Sequence, residues 1–198
     1  MAVSIDDIKK LKNMTGVGLT DAKKALEEAD GDFDKALETM RVKGLARADK
    51  KADRAATAGI IHSYVHSEKI GVLVELNCET DFVARTDDFK SLANDIAMHI
   101  AASSPLYLSE SDIPEQELAK EKELVMSELA EAGKPQEMRD QIAEGKLSKW
   151  YEEVCLMQQQ YVKDPEMTVA DVVKSGIATL GENIQIGQFS RIELGDRS

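Results

Sequence analysis

Apolar residues recur every three to four positions up to about residue 44, then every second position from Ile60 to Asn77. The first spacing belongs to helices packing on one stripe, the second to strands with one covered face. A chain holding both must build helices and a sheet and pack one on the other. In residues 4–44 the spacing predicts three helices. Ser4 caps the first, with Asp7 near the capping-box position, and Ile5, Ile8 and Leu11 form its stripe. Thr15-Gly16-Val17-Gly18 breaks the pattern. Thr20 is the expected cap of the second helix, which turns Ala22, Ala25, Leu26 and Ala29 inward and ends at a left-handed Gly31. Asp32 caps the third, with Phe33, Ala36, Leu37 and Met40 on one face and Gly44 after it. Residues 45–56 are rich in Ala, Lys and Arg and lack an apolar stripe, which reads as an exposed, basic helical linker.

Beyond the linker, Ile60, His62, Tyr64 and His66 alternate with Ile61, Ser63 and Val65. A turn at Ser67-Glu68-Lys69 leads into a β-branched run from Ile70 to Asn77, the pattern of a hairpin. A helix follows from Asp87 to Ala102, with Phe89, Leu92, Ile96 and Ile100 toward the sheet. Residues 115–150 read as an antiparallel helical hairpin, with Leu118, Val125, Leu129 and Ala132 on one arm. Gly133 closes that arm and Pro135 opens the other, which carries Met138, Ile142, Leu147 and Trp150. A strand is expected over 153–158. Thr168 with Asp171 caps a short helix holding Val172, Val173 and Ile177. A last strand over Ile184–Leu194 alternates Ile184, Ile186, Ser190, Ile192 and Leu194 on one side. The fold class is α+β: a three-helix N-terminal module at 1–44, the linker at 45–56, and a core at 57–198 with an antiparallel sheet and the inserted hairpin 115–150.

Composition narrows the function. The chain is 42% hydrophobic and 31% charged, a balance of folded globular chains. Its formal net charge of −12 opposes general nucleic-acid binding, which needs a cationic surface. Charge is uneven: Arg41, Lys43, Arg47, Lys50, Lys51 and Arg54 outnumber Asp49 and Asp53, whereas acids dominate 109–131. Both are solvated faces, or the basic stretch docks on an acidic partner. No apolar run approaches the about 20 residues of a membrane span. Asp6 and Asp7 stand where a signal peptide would be basic or apolar, so a cytoplasmic location is expected. Cys78 and Cys155 lie far apart without CxxC spacing, which fits free thiols and neither zinc nor a redox pair. Gly16-Val17-Gly18 has Asp21 where a dinucleotide fingerprint needs glycine, and no Walker A, G-x-S-x-G or H-E-x-x-H pattern occurs. Histidines 62 and 66 are about 13 Å apart by strand rise, too far to share a metal. His99 is expected on the polar side of its helix. No cofactor, metal site or catalytic constellation is expected, and the chain does not read as an enzyme.

The segment Asn77-Cys78-Glu79-Thr80-Asp81-Phe82-Val83-Ala84-Arg85 lies between a strand and a helix start. Either Asp81 caps a turn and Phe82 fills the core, as aromatic residues commonly do. Or the pair is an exposed wedge, an apolar ring for a partner's pocket beside a negative charge.

Glu75 to Arg85 resembles the second signature of the elongation factor Ts family, and Leu11 to Leu26 resembles the first. Lys12 stands where the family usually has Arg, and Thr86 where Asn is frequent. Ile96 to Ala102, Glu131 to Pro135 and Gly181 to Ile184 carry the likeness along nearly the whole chain. The resemblance implies a guanine-nucleotide exchange factor for elongation factor Tu, acting without covalent chemistry on the GDP-bound form. It implies a ubiquitin-associated-type fold for the N-terminal module, with Met14, Val17, Gly18 and Leu19 against the partner's nucleotide-binding domain. Asp81 and Phe82, flanked by Thr80 and Val83, match the pair inserted near the partner's magnesium site. The hairpin 115–150 matches a protruding element. Long family members carry two related core subdomains and this chain has room for one, so two copies are expected to associate, with the Ile184–Leu194 strand offering an edge. Two other classes remain beside this one. A three-helix unit alone fits a module that recognises ubiquitin-like or peptide ligands, and an unrecognised site would make an enzyme.

Overall fold

The computed structural model describes residues 3–15, 17–133 and 135–196. Gly16 and Lys134 of the motifs lie outside them, as do the side chains of Asn13, Arg41 and Arg47.

Helix α1 (Ile5–Thr15) starts where the Ser4 hydroxyl accepts the Asp6 N–H. Leu11 is fully buried, but Ile5 is exposed, so the stripe begins at Ile8. Helix α2 (Leu19–Glu28) is capped by Gly18 without a side-chain bond; Thr20 lies inside it and is not the cap. Ala22, Ala25, Leu26 and Ala29 are buried against α1 and α3. At the C-terminus Asp30, not Gly31 alone, turns left-handed, with φ 55° against 83° for Gly31. The Gly31 N–H reaches the Leu26 carbonyl and the Asp30 N–H that of Glu27, a Schellman pair that satisfies orphan carbonyls. Asp is among the few residues besides Gly that visit this backbone region.

Helix α3 (Phe33–Asp49) starts at Asp32, whose carboxylate accepts the Lys35 N–H at 3.1 Å. It runs past Gly44 without a break, so the N-terminal unit and the first part of the basic segment share one helix. Nor is that segment wholly exposed. Ala48 is buried in the main core, and Asp49 pairs with Lys174 at 3.0 Å.

Strands β1 (Ala58–His66) and β2 (Ile70–Cys78) form the hairpin, and β5 (Ile184–Glu193) adds antiparallel to β2, giving the order β1-β2-β5. Inward Val72, Val74, Leu76 and Cys78 are buried under helix α5 (Asp87–Ser103), whose Phe89, Ile96 and Ile100 face them, and helix α8 (Val169–Leu180). Burial of each large apolar side chain is worth about 1.5–3 kcal/mol, which makes this layer the main source of stability. The alternation expected along β5 slips once. Val74 pairs with Phe189 and Leu76 with Ile186, so β5 carries one extra residue between them. Ile184 and Ile186 therefore face the core, whereas Ile192 and Leu194 are exposed on the outer side.

Helices α6 (Glu115–Glu131) and α7 (Gln136–Val154) pack as the helical hairpin around Val125, Leu129 and Ala143. Ala132 and Met138 are exposed and do not join that seam. The strand expected at 153–158 is absent among the described residues: α7 continues to Val154, and Leu156–Gln158 forms a 3-10 turn. Short strands β3 (Gln160–Tyr161) and β4 (Asp164–Thr168) follow instead. Thr168 and Asp171 form the capping box of α8. His99 is fully buried and not on a polar face. Mixed helices with a small antiparallel sheet make the fold α+β.

Candidate functional site

Strand β2 ends at Cys78, and three residues later the chain makes the four-residue helix α4 (Asp81–Ala84). A helix that short cannot hold itself together, because nucleation costs more than one turn returns. It is held from below and at both ends. Val83 and Ala84 are buried in the core. Thr80, and not Asp81, is the cap: its Oγ accepts the Val83 N–H at 3.4 Å. After the helix, Thr86 Oγ donates to the Val83 carbonyl at 2.7 Å and accepts the Phe89 N–H at 3.3 Å, which starts α5. Phe82 points away from this base and is 83% exposed, so it does not fill the core. Asp81 is exposed beside it, and among the described residues no donor bonds to its carboxylate.

The support beneath Thr80 comes from the distant turn after α8. Gly181, at φ 80°, ends that helix in the left-handed region. Glu182 then accepts the Thr80 N–H at 3.0 Å and the Thr80 hydroxyl at 2.7 Å. Asn183, buried, donates its N–H to Glu79 at 2.7 Å and its amide to the carbonyls of Ala52 and Arg54 at 3.0 and 2.6 Å. Arg54 pairs with Glu79 at 3.5 Å. Neither period nor cap chemistry points to the pairings of Glu182 and Asn183, since they span 102 to 131 residues of chain. The traces in the sequence are the family likeness of Gly181 to Ile184 and the polar Glu182-Asn183 pair between an apolar helix and an apolar strand.

Below the tip, Cys78 Sγ donates to the Thr80 carbonyl at 3.2 Å. Burial pushes its thiol above the ordinary value. Val83 is turned into its own core and Thr80 into its own clamp, which leaves Asp81 and Phe82 as the outward groups of this segment.

At the other candidate surface, Met14 lies in the last turn of α1 and Leu19 opens α2; they are 56% and 54% exposed. Val17 between them packs partly against the N-terminal cluster. Gly18 has open space where a side chain would project. The α1–α2 connection therefore presents two large apolar side chains to solvent. No group of three or more His, Cys, Asp and Glu among the described residues is arranged to hold a metal ion. No helix among them is long and apolar enough to cross a membrane.

A helical module fused to an α+β core, with an acid–aromatic tip held out on a clamped base, defines a scaffold that displays apolar groups. Residues 2–196 match the family described as Elongation factor TS. The chain is 50% identical over 197 residues to Elongation factor Ts of Fervidobacterium nodosum, covering 99% of this chain and 100% of that one. Against Elongation factor Ts of Thermodesulfovibrio yellowstonii it is 49% identical over 195 residues, 98% of each chain. Against that of Geobacter sulfurreducens it is 48% identical over 197 residues, 99% of this chain and 91% of the other. The chain belongs to the elongation factor Ts family, a family of translation elongation factors.

Proposed function

We propose that this chain binds elongation factor Tu in its GDP-bound form in the cytoplasm and speeds GDP release. Phe82 enters beside the partner's Mg²⁺ and phosphate site, and Asp81 disturbs the polar network there. The observation that carries the reading is a phenylalanine 83% exposed on a base held by hydrogen bonds and buried neighbours. An exposed phenyl ring on a rigid base is costly to keep in water, and its burial is available to a partner.

The magnitudes set the division of labour. A GTPase holds GDP through its phosphates and Mg²⁺. Weakening that grip a thousandfold needs about 4 kcal/mol. Burying one Phe gives about 1.5–3 kcal/mol. The ring therefore needs help, and the exposed Met14 and Leu19 with Val17 and Gly18 supply a second contact on the nucleotide-binding domain. We assign the ubiquitin-associated-type fold to this N-terminal module, 1–44, with 45–56 joining it to the core at 57–198. Coupling is reciprocal: whatever factor weakens GDP in the complex weakens the exchange factor when GDP is bound. The chain is then released unchanged, with no covalent step and no cofactor of its own.

The test is the release of a fluorescent GDP from elongation factor Tu with substoichiometric amounts of this chain. Multiple turnovers of release per chain support the reading; release at the spontaneous rate contradicts it.

Association of two copies is the second reading. Strand β5 is an edge of the sheet, and its exposed Ile192 (72%) joins outward Ile61, Val65 and Leu73. Sedimentation equilibrium of wild type and Ile192→Asp checks it: the substitution is expected to shift the distribution toward monomer, and identical distributions remove β5 from any interface.

A further inference from the structure

We propose that Glu182 is a positioning residue for exchange: its carboxylate holds Thr80, and through Thr80 it fixes the direction in which Phe82 projects. The proposal rests on the reading of Phe82 given above.

The geometry is a fork. One carboxylate oxygen accepts the Thr80 N–H at 3.0 Å and the other accepts the Thr80 hydroxyl at 2.7 Å. Both bonds go to a charged acceptor, which makes them stronger than neutral ones. A threonine hydroxyl has one proton and two lone pairs. With the proton committed to Glu182, a lone pair is left facing the Val83 N–H, the first bond of the tip helix. The carboxylate thus polarises the cap that starts α4. Buried Val83 and Ala84 hold the far side of the helix but leave its N-terminal end, where Asp81 and Phe82 sit, to be fixed by Thr80 alone.

Glu182 is itself held in place. Gly181 makes the left-handed turn before it, and Asn183 after it is 1% exposed, with three hydrogen bonds to Glu79, Ala52 and Arg54. A glutamine at 182 offers one acceptor where the carboxylate offers two: with its oxygen on the Thr80 N–H, its NH₂ can only donate to the Thr80 hydroxyl, whose proton then loses its charged acceptor. A positioning role differs from a merely structural one in where the loss falls. The partner is still captured by the other contacts, so the half-saturating concentration holds. The tip samples wrong directions inside the complex, so the saturated rate falls.

The experiment follows fluorescent GDP release from elongation factor Tu over a range of factor concentrations for Glu182→Gln, Thr80→Val, Thr80→Ser, Phe82→Ala and Phe82→Ala/Glu182→Gln. In parallel, amide hydrogen exchange at residues 80–84 is measured on the free full chain. Losing one charge-assisted bond is expected to lower the saturated rate of Glu182→Gln about tenfold, with the half-saturating concentration within about twofold. Thr80→Val slows release, and Thr80→Ser, which keeps the hydroxyl, recovers most of the rate. The double variant is no slower than Phe82→Ala, because both changes act through one ring. Amide exchange at 80–84 in Glu182→Gln rises about tenfold while the α5 amides stay protected. Unchanged exchange at 80–84, a wild-type saturated rate, or additive losses in the double variant overturns the proposal. If those amides loosen but Phe82→Ala releases GDP at the wild-type rate, the wedge reading itself is overturned. If they stay protected while Phe82→Ala is slow, the clamp fails and the wedge stands.

Discussion

His99 carries the sharpest lesson at the scale of single residues. Its place on α5 reads as polar from the sequence, yet it is fully buried beneath the β3–β4 segment. The Val162 N–H donates to Nδ1 at 3.2 Å, so Nε2 bears the proton and donates to Gln159 at 3.0 Å. The Gln159 amide in turn donates to the Glu153 carbonyl at 2.6 Å. The ring is thus neutral and doubly bonded, and burial holds its pKa below 6.5, the bond to Gln159 opposing in part. A proton on Nδ1 would break the bond to Val162. The unfolded chain binds a proton near 6.5 and the folded chain does so only at lower pH, so stability is lost as pH falls below that value. Urea midpoints measured from pH 8 to pH 5 are expected to fall more steeply for wild type than for His99→Gln; parallel curves contradict the account. The buried thiols make a second residue-scale expectation. Desolvation pushes Cys155 up to about 11, and Cys78 is also raised. Both should react with an aromatic disulfide reagent at pH 8 about a hundredfold more slowly in the native chain than in urea, since the thiolate is the reactive form; fast native labelling contradicts their burial. None of this is legible in the sequence, because burial depends on segments distant along the chain, 60 residues for His99 and Gln159, that no local pattern encodes.

Elements were more readable than their ends. The hairpin, α5, the helical hairpin and the capping box of α8 stand where periodicity and cap chemistry put them. The failure at 153–158 has a simple physical cause: Leu147, Trp150, Tyr151 and Val154 keep the helical spacing, so α7 runs on. The β5 bulge was invisible, since an extra residue leaves Ile192 and Leu194 apolar and only reverses the side they face. Two glycines in the sheet allow a contrast. A Cβ on Gly59, at φ 156°, would lie 2.3 Å from the Leu76 carbonyl oxygen, a backbone atom that cannot yield. On Gly187 it would meet the Glu75 side chain at 2.7 Å and the Asn77 amide at 2.9 Å, side-chain ends that can shift where a backbone atom cannot. Gly59→Ala is therefore expected to cost about 1–3 kcal/mol, and Gly187→Ala distinctly less. Urea unfolding of the two variants checks this; equal losses contradict it.

The whole molecule joins a helical module to a core through one continuous helix. Composition and periodicity gave α+β with a helical start, and the signature motifs gave the family. The joint itself was hidden because Ala48 and Asp49 look like linker until α8 is seen against them. The tip was half legible: the sequence left Phe82 open between core and surface, and the clamp from Glu182 and Asn183 required the fold. At this scale the second contact is tested by Met14→Asp and Leu19→Asp, both surface changes that should leave folding within about 0.5 kcal/mol. Each is expected to weaken binding of elongation factor Tu about tenfold through loss of apolar burial. Calorimetric titration showing unchanged affinity would remove the α1–α2 connection from the interface.

The central claim is that an exposed ring on a fixed base opens another protein's nucleotide site. Stopped-flow release of fluorescent GDP from elongation factor Tu, at saturating wild type and Phe82→Ala, tests it most directly. Losing about 1.5–3 kcal/mol of ring burial predicts a saturated rate roughly 10- to 100-fold lower for Phe82→Ala, with its melting temperature unchanged. A folded Phe82→Ala that releases GDP as fast as wild type would contradict the account.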